Sequence, residues 1–412
     1  MNEKQEFHNK WIYPSYDDVI KKISEEREKF VYFEKDYDRK KKVLLKEYRQ
    51  EDFIHLINLK RDYFTDLIKR LIKFFPQFDS IPYTVFYHGS YGRGISRYGS
   101  DMDLNILFDN DFIDIMKPIN ELICAMIYQI VGFKGRDKIH NIMVNVPPLK
   151  NAKYNFDNGN HYKVVFLDGK VLNYYSRNYF EGDMTKIQNA PNSFEDFRKY
   201  ILKHCNGEEC FEWAYSFRYI ISNYLDYNLD EVVKKADNKI RKVKNIHLKT
   251  LKLIDKMIKD IQEYSFDFEE ISISCLNKEC KVRMLGFMYN SLALVRRCLV
   301  INGFDMGVFD IPKLLESEAL KKYINQDLID KLKDTLYYYN WNLARLEEFM
   351  IENGYNFSSR EPSSISKKVL DEGYKKMYNT DFYLLQKDAV LQVKEILLII
   401  LNKFRDEEMK HV

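Results

Sequence analysis

Glycine and proline are scarce in this chain, with 15 and 9 in 412 residues. That excludes collagen-like and low-complexity classes and favours a compact, mostly helical protein with short loops. Cysteine is also rare. Six residues, Cys124, Cys205, Cys210, Cys275, Cys280 and Cys298, do not make a disulfide scaffold and fit a reducing compartment. A long apolar run is missing: the best stretch, residues 390–401, is broken by Gln392, Lys394 and Glu395, so no membrane span is expected. The N-terminus lacks the charged-then-apolar pattern of a secretion signal, so a cytoplasmic protein is expected. Charge of one sign is missing too. The 65 basic and 62 acidic residues leave a net charge of +3, so global electrostatics does not demand a nucleic-acid partner. What is abundant is aromatic surface, 31 Tyr and 28 Phe, within an apolar content of 45%, enough for two or three domain cores.

The most informative segment is residues 88–108, HGSYGRGISRYGSDMDLNILF. The flanks Tyr83–His88 and residues 104–108 are aromatic, β-branched or aliphatic and read as strands. Four glycines, Gly89, Gly92, Gly94 and Gly99, lie between them and suit a loop that approaches a ligand closely. Asp101 and Asp103 open the second strand with one residue between them, so alternation predicts both carboxylates on one face. Two carboxylates that close repel unless a cation sits between them. A hard divalent ion with oxygen ligands, Mg²⁺ above all with Mn²⁺ as an alternative, answers that need, and its usual companion is a polyphosphate. Gly89 and Ser90 supply backbone N–H groups and a hydroxyl where the phosphates would lie. Arg93 and Arg97 can reach phosphate oxygens with paired donors. Gly-Ser or Asp-x-Asp alone would describe an ordinary hairpin; their ordered combination between two strands is far more specific. His88 reads as a satisfied strand-end histidine, and Ser100 as a residue that orients the loop.

This segment resembles the nucleotidyltransferase superfamily that includes DNA polymerase β. Within it, Gly-Ser-Tyr-Gly-Arg-Gly followed by Ser-Asp-Met-Asp-Leu is most similar to the PII-protein uridylyltransferases and their short bacterial relatives. The resemblance implies a mixed sheet with flanking helices, an α/β (α+β) fold, to which this chain adds a large all-helical C-terminal region. It further implies Mg²⁺, an NTP donor and release of pyrophosphate, with Gly89, Ser90 and Arg93 on the nucleotide and Asp101 and Asp103 on metal. A third carboxylate is expected from a later strand. Residues 161–168 read as a strand ending in Asp168, and the following Gly-Lys-Val-Leu is similar to the uridylyltransferase pattern, with Lys170 in place of an arginine and Tyr174-Tyr175 in place of a Gly-Asp pair. Asp168 is therefore the expected third catalytic and metal-binding residue, with a simple Asp-Gly turn as the alternative. The close resemblance covers residues 80–182. Full-length uridylyltransferases also carry a His-Asp hydrolase domain, and no His-Asp dipeptide occurs here.

The organisation expected is a helical segment over 1–78 packing on the sheet, a catalytic domain over 79–182 and a helical domain over 183–412. Ser15 or Asp17 is positioned to cap the first of the long helices in 16–75. Residues 112–131 read as a helix whose regular part starts at Pro118, and residues 139–146 and 162–167 as strands. Beyond these, 193–227, 229–263, 281–301, 319–353 and 381–408 read as helical. Residues 234–259 hold ten Lys or Arg against two Asp, a face for NTP phosphates or RNA or simply a solvated surface. Arg241 and His247 imitate a ribonuclease motif, and Cys205/Cys210 with Cys275/Cys280 imitate a zinc site at loose spacing. Arg296, Arg297 and Arg345 are further cations open to phosphate or ion-pair roles. The expected function is transfer of an NMP to a hydroxyl of a protein or small molecule. The alternatives are an RNA end as acceptor, and an NTP-binding regulatory module without turnover.

Overall fold

The computed structural model describes residues 14–96, 102–131, 144–145, 160–166, 168–176, 194–223, 228–265, 283–353 and 367–412. Two long helices, α1 (Tyr16–Leu44) and α2 (Gln50–Ile72), open the chain. Ser15 caps α1 as expected, its hydroxyl accepting the Asp18 N–H at 3.1 Å, with Asp17 and Asp18 placed favourably in the first turn. The two helices are tied by Glu26, whose fully buried carboxylate accepts from Lys22, Lys29 and, across the interface, Arg70 at 2.9 Å. Burial works against that charge, and the three cations outweigh it, so the carboxyl is held below its ordinary range.

The chain then enters a sheet. Strand β1 (Tyr83–His88) leads into a one-turn helix α3 (Gly89–Gly92), and β2 (Met102–Phe108) returns antiparallel to β1. Helix α4 (Ile113–Val131) follows, then the short β3 (Val144–Asn145), parallel to β2. The sheet order is β3-β2-β1-β6, where β6 (Arg218–Ser222) pairs antiparallel with β1. A separate hairpin, β4 (Asn160–Val165) and β5 (Val171–Ser176), packs on α4.

Both faces of β1 and β2 are covered. Tyr83, Val85, Tyr87, Leu104, Ile106 and Phe108 join one core with α1, α2 and α4. Phe86 and Leu107, of opposite parity, join a second core built by the later helices. The layers are therefore N-terminal helices, sheet, helical region. Among the later elements are α5 (Phe194–Lys203), α6 (Leu229–Arg241), α7 (Ile246–Glu263), α8 (Leu285–Ile301), α9 (Ile311–Glu316) and α10 (Glu318–Lys321). The long α11 (Gln326–Glu352), α12 (Lys367–Tyr378) and α13 (Phe382–Met409) complete them. Among the described residues no helix is long and apolar enough to cross a membrane.

Several expectations are corrected. Residues 193–227, expected to be helical throughout, contain α5, a 3-10 turn (Glu212–Tyr215) and β6, so the sheet takes its fourth strand from beyond residue 183. Helix α4 starts at Ile113, five residues ahead of Pro118. The proline forfeits one backbone bond, and burial of Met116, Ile119 and Ile123 in the core against the sheet outweighs it. The basic stretch 234–259 is two helices broken at Asn245, whose φ of 56° is left-handed. Of the expected strand 139–146, only Val144–Asn145 falls within the described residues.

Candidate active site

The site is built from the end of β1. His88 stands directly opposite Asp103 in the antiparallel register, so the start of β2 and the turn after β1 lie at the same end of the sheet. Gly89 takes φ of +60°, a left-handed conformation that an L side chain resists, and starts the single turn of α3. The Arg93 N–H closes that turn on the Gly89 carbonyl at 3.0 Å. Gly92 is required for a different reason: a Cβ there would lie 2.3 Å from the Ser216 carbonyl oxygen and 3.1 Å from that of Tyr87. The segment leading into β6 thus presses directly on the turn. Tyr87 and Tyr91 are buried beneath it, with ring centroids 5.3 Å apart.

The far side of the turn is also held. The Arg93 carbonyl accepts the Ile311 N–H at 2.9 Å, and Tyr215 accepts the Phe309 N–H at 2.9 Å through its carbonyl. Arg218 on β6 donates to Asp310 at 2.8 Å, while Asp310 also caps α9 through the Lys313 N–H at 3.1 Å. The loop ahead of α9 therefore clamps the turn to β6. Ser90 is half-buried, and its hydroxyl has no hydrogen-bond partner among the described residues. The Arg93 guanidinium lies 4.3 Å from the ring centre of Tyr289 on α8. His88 is buried beside Phe217, centroids 5.6 Å apart, in keeping with a satisfied strand-end histidine.

The structure therefore brings Gly89, Ser90, Arg93 and the backbone of Asp103 together. Asp101, Arg97 and Ser100 lie outside the described residues. Asp168 lies at the exposed turn between β4 and β5, a hairpin separate from the sheet that carries Asp103. Its carboxylate accepts the Lys170 N–H at 3.1 Å and faces the Lys170 ammonium at 3.6 Å. Lys170 in turn donates to Asp17 at the start of α1 at 2.8 Å, a bond that raises its pKa. These are the contacts of an Asp-Gly turn residue.

The other candidate cations and metal ligands have structural partners. Arg296 pairs with Asp237 through two bonds of 3.0 and 2.7 Å, and Arg297 with Glu212, all buried. Burial raises the Asp237 carboxyl, and Arg296 opposes it. Arg241 caps the end of α8 through the Val300 and Phe304 carbonyls, both at 2.8 Å, whereas His247 pairs with Glu408 at 2.7 Å, so the ribonuclease-like spacing does not assemble a site. The Cys205 thiol meets the Tyr215 hydroxyl at 2.9 Å and is pushed up to about 11 by burial. Burial raises the Cys210 thiol as well. Cys275 and Cys280 lie outside the described residues, and among those described no group of three or more His, Cys, Asp or Glu is arranged to hold a metal.

Sequence reasoning missed Tyr289 and β6. The run Arg218-Tyr-Ile-Ile-Ser carried a strand signal in its aromatic and β-branched centre; Tyr289 carried none, because only the fold brings α8 to the turn. No family model and no curated protein matches this chain.

Proposed function

We propose that the protein is a Mg²⁺-dependent nucleotidyltransferase that moves an NMP from an NTP to a hydroxyl of a protein or small-molecule acceptor, with release of pyrophosphate. The observation that carries this reading is the β1–β2 register, which sets position 103 opposite His88 and so beside the Gly89–Gly92 turn. The resemblance of residues 88–108 to the nucleotidyltransferases supports it, and so does the rigidity of the turn. A phosphate cradle works best when its donors are already in place before the ligand arrives.

Asp101 and Asp103 would hold Mg²⁺, or Mn²⁺ in its place; an all-oxygen donor pair of this kind suits either ion. Bound there, the metal would neutralise phosphate charge and lower the pKa of the attacking hydroxyl. The chain's own contribution is positional. Gly89 and Ser90 offer backbone N–H groups and a hydroxyl to the triphosphate, and Arg93 adds positive charge next to them. The acceptor hydroxyl gives up its proton to solvent and its oxygen bonds to the α-phosphorus as the bond from that phosphorus to the departing pyrophosphate breaks. The turn, wedged between Ser216 and Tyr87, keeps that pyrophosphate in register. This reading assigns no metal to Asp168, whose carboxylate faces Lys170.

The test is incubation with Mg²⁺ and each α-labelled NTP in turn, supplied with cell lysate, RNA or no acceptor. Label on protein or on a small molecule is expected, and chelation of Mg²⁺ abolishes it. Label on RNA would move the acceptor to a nucleic-acid end. NTP binding without pyrophosphate would reduce the protein to a binding module. An Asp101→Ala/Asp103→Ala protein that transferred at the wild-type rate would overturn the assignment.

A further inference from the structure

A charged group far along the chain from the turn keeps two donors without a hydrogen bond among the described residues. Arg345 on α11 is 2% exposed, and its guanidinium is enclosed by three rings. Trp341, one turn earlier on the same helix, lies at 4.5 Å; Tyr374 and Tyr378 of α12 lie at 5.4 and 4.1 Å. Rings cover a guanidinium face well but leave its edge of N–H donors unbonded. Here Nε and Nη2 are both buried and make no hydrogen bond among the described residues. These two nitrogens form one edge of the guanidinium, the fork that takes two oxygens of a carboxylate or phosphate side by side.

The contrast with the other buried arginines is informative. Arg296 and Arg297 each face a carboxylate. Glu348, the acid about one turn along the helix from Arg345, is instead paired with Lys41 on α1 at 2.8 Å. More unpaired polar atoms lie close by. The Tyr374 hydroxyl and both amide atoms of Asn342, one turn before Arg345, have no partner among the described residues. So too have both amide atoms of Gln386 on α13. Lys331 on α11 pairs with Glu395 on α13, and the Tyr374 ring of α12 meets Phe382 of α13, so α13 packs against both helices that surround Arg345. Burial pulls the Arg345 guanidinium below the ordinary arginine range. A buried cation and its polar neighbours are costly when left unsatisfied, and a native fold seldom carries such groups idle.

We propose that the free edge of Arg345 binds an oxyanion, the carboxylate or phosphate group of a small molecule, held bidentately by Nε and Nη2 under the Trp341, Tyr374 and Tyr378 rings. The proposal does not depend on the transferase reading.

The test uses the full chain at constant ionic strength in chloride, titrated with inorganic phosphate in one arm and acetate in the other while thermal melting is followed. A saturable rise in Tm above the chloride control is expected in at least one arm, and the arm that responds identifies the source. Arg345→Lys, which keeps the charge and removes the fork, weakens the midpoint about ten- to hundredfold. Arg93→Met leaves it unchanged, which separates this site from phosphate binding at the turn. Should Arg345→Lys not fold, arginine Nε–H signals of the wild-type protein serve instead: one resonance moves with the melting midpoint. The proposal is overturned if neither anion raises Tm beyond chloride, if Arg345→Lys responds as the wild type does, or if no arginine resonance moves.

Discussion

The two acidic segments that could serve an NTP are built in opposite ways. The turn beside Asp103 is gripped from every side. Gly92 meets the Ser216 carbonyl, Arg93 is bonded through its carbonyl to Ile311, and buried tyrosines lie beneath. The hairpin turn that carries Asp168 is exposed; it is closed by two backbone bonds, Phe166 N–H to the Lys170 carbonyl and Gly169 N–H to the Phe166 carbonyl, by the Lys170 N–H on the Asp168 carboxylate, and by ion pairs of Lys170 with Asp168 and Asp17. An exposed pair of that kind contributes about 0–1 kcal/mol. On the proposed reading, close packing of the turn, more than the presence of a carboxylate, marks the segment suited to position a nucleotide.

This contrast can be broken at four points. The largest effect is expected at Asp103: Asp103→Asn lowers transfer by roughly a hundredfold or more, measured with labelled NTP, while the far-UV CD spectrum is unchanged. Next comes Gly92→Ala, which forces its Cβ against backbone. It costs about 1–3 kcal/mol in urea unfolding and raises the KM for NTP. Arg93→Met comes third, raising the NTP KM about tenfold with a smaller change in kcat, because it removes a charge-assisted contact and keeps most of the side-chain packing. The smallest effect is at the hairpin: Asp168→Ala leaves transfer within a few-fold of wild type and Tm nearly unchanged. A collapse of activity in Asp168→Ala with the fold intact would erase the distinction and restore Asp168 to the metal.

Much of the sheet was legible in the sequence because its signals are local. Tyr83–His88 is a strand by composition, Gly89 marks the turn, and the Ser15 cap lies three residues from the N–H it accepts. Helix α4 extends past Pro118 because tertiary burial overrides a local rule. The fourth strand, β6, was hidden because a five-residue run flanked by helices looks helical until β1 supplies its partner. Long-range pairs were illegible for the same reason. Asp237 lies 59 residues before Arg296, Glu212 lies 85 before Arg297, and the two tyrosines around Arg345 come from a later helix. No local pattern separates the two satisfied arginines from the unsatisfied one.

The most direct test of the central claim is calorimetric titration of the full chain with each Mg–NTP, compared with Asp101→Asn/Asp103→Asn. The account predicts that at least one Mg–NTP binds the wild-type protein and that its affinity falls by tenfold or more in the double variant or when Mg²⁺ is chelated. Failure of all four to bind, or equal affinity in the double variant, would contradict it.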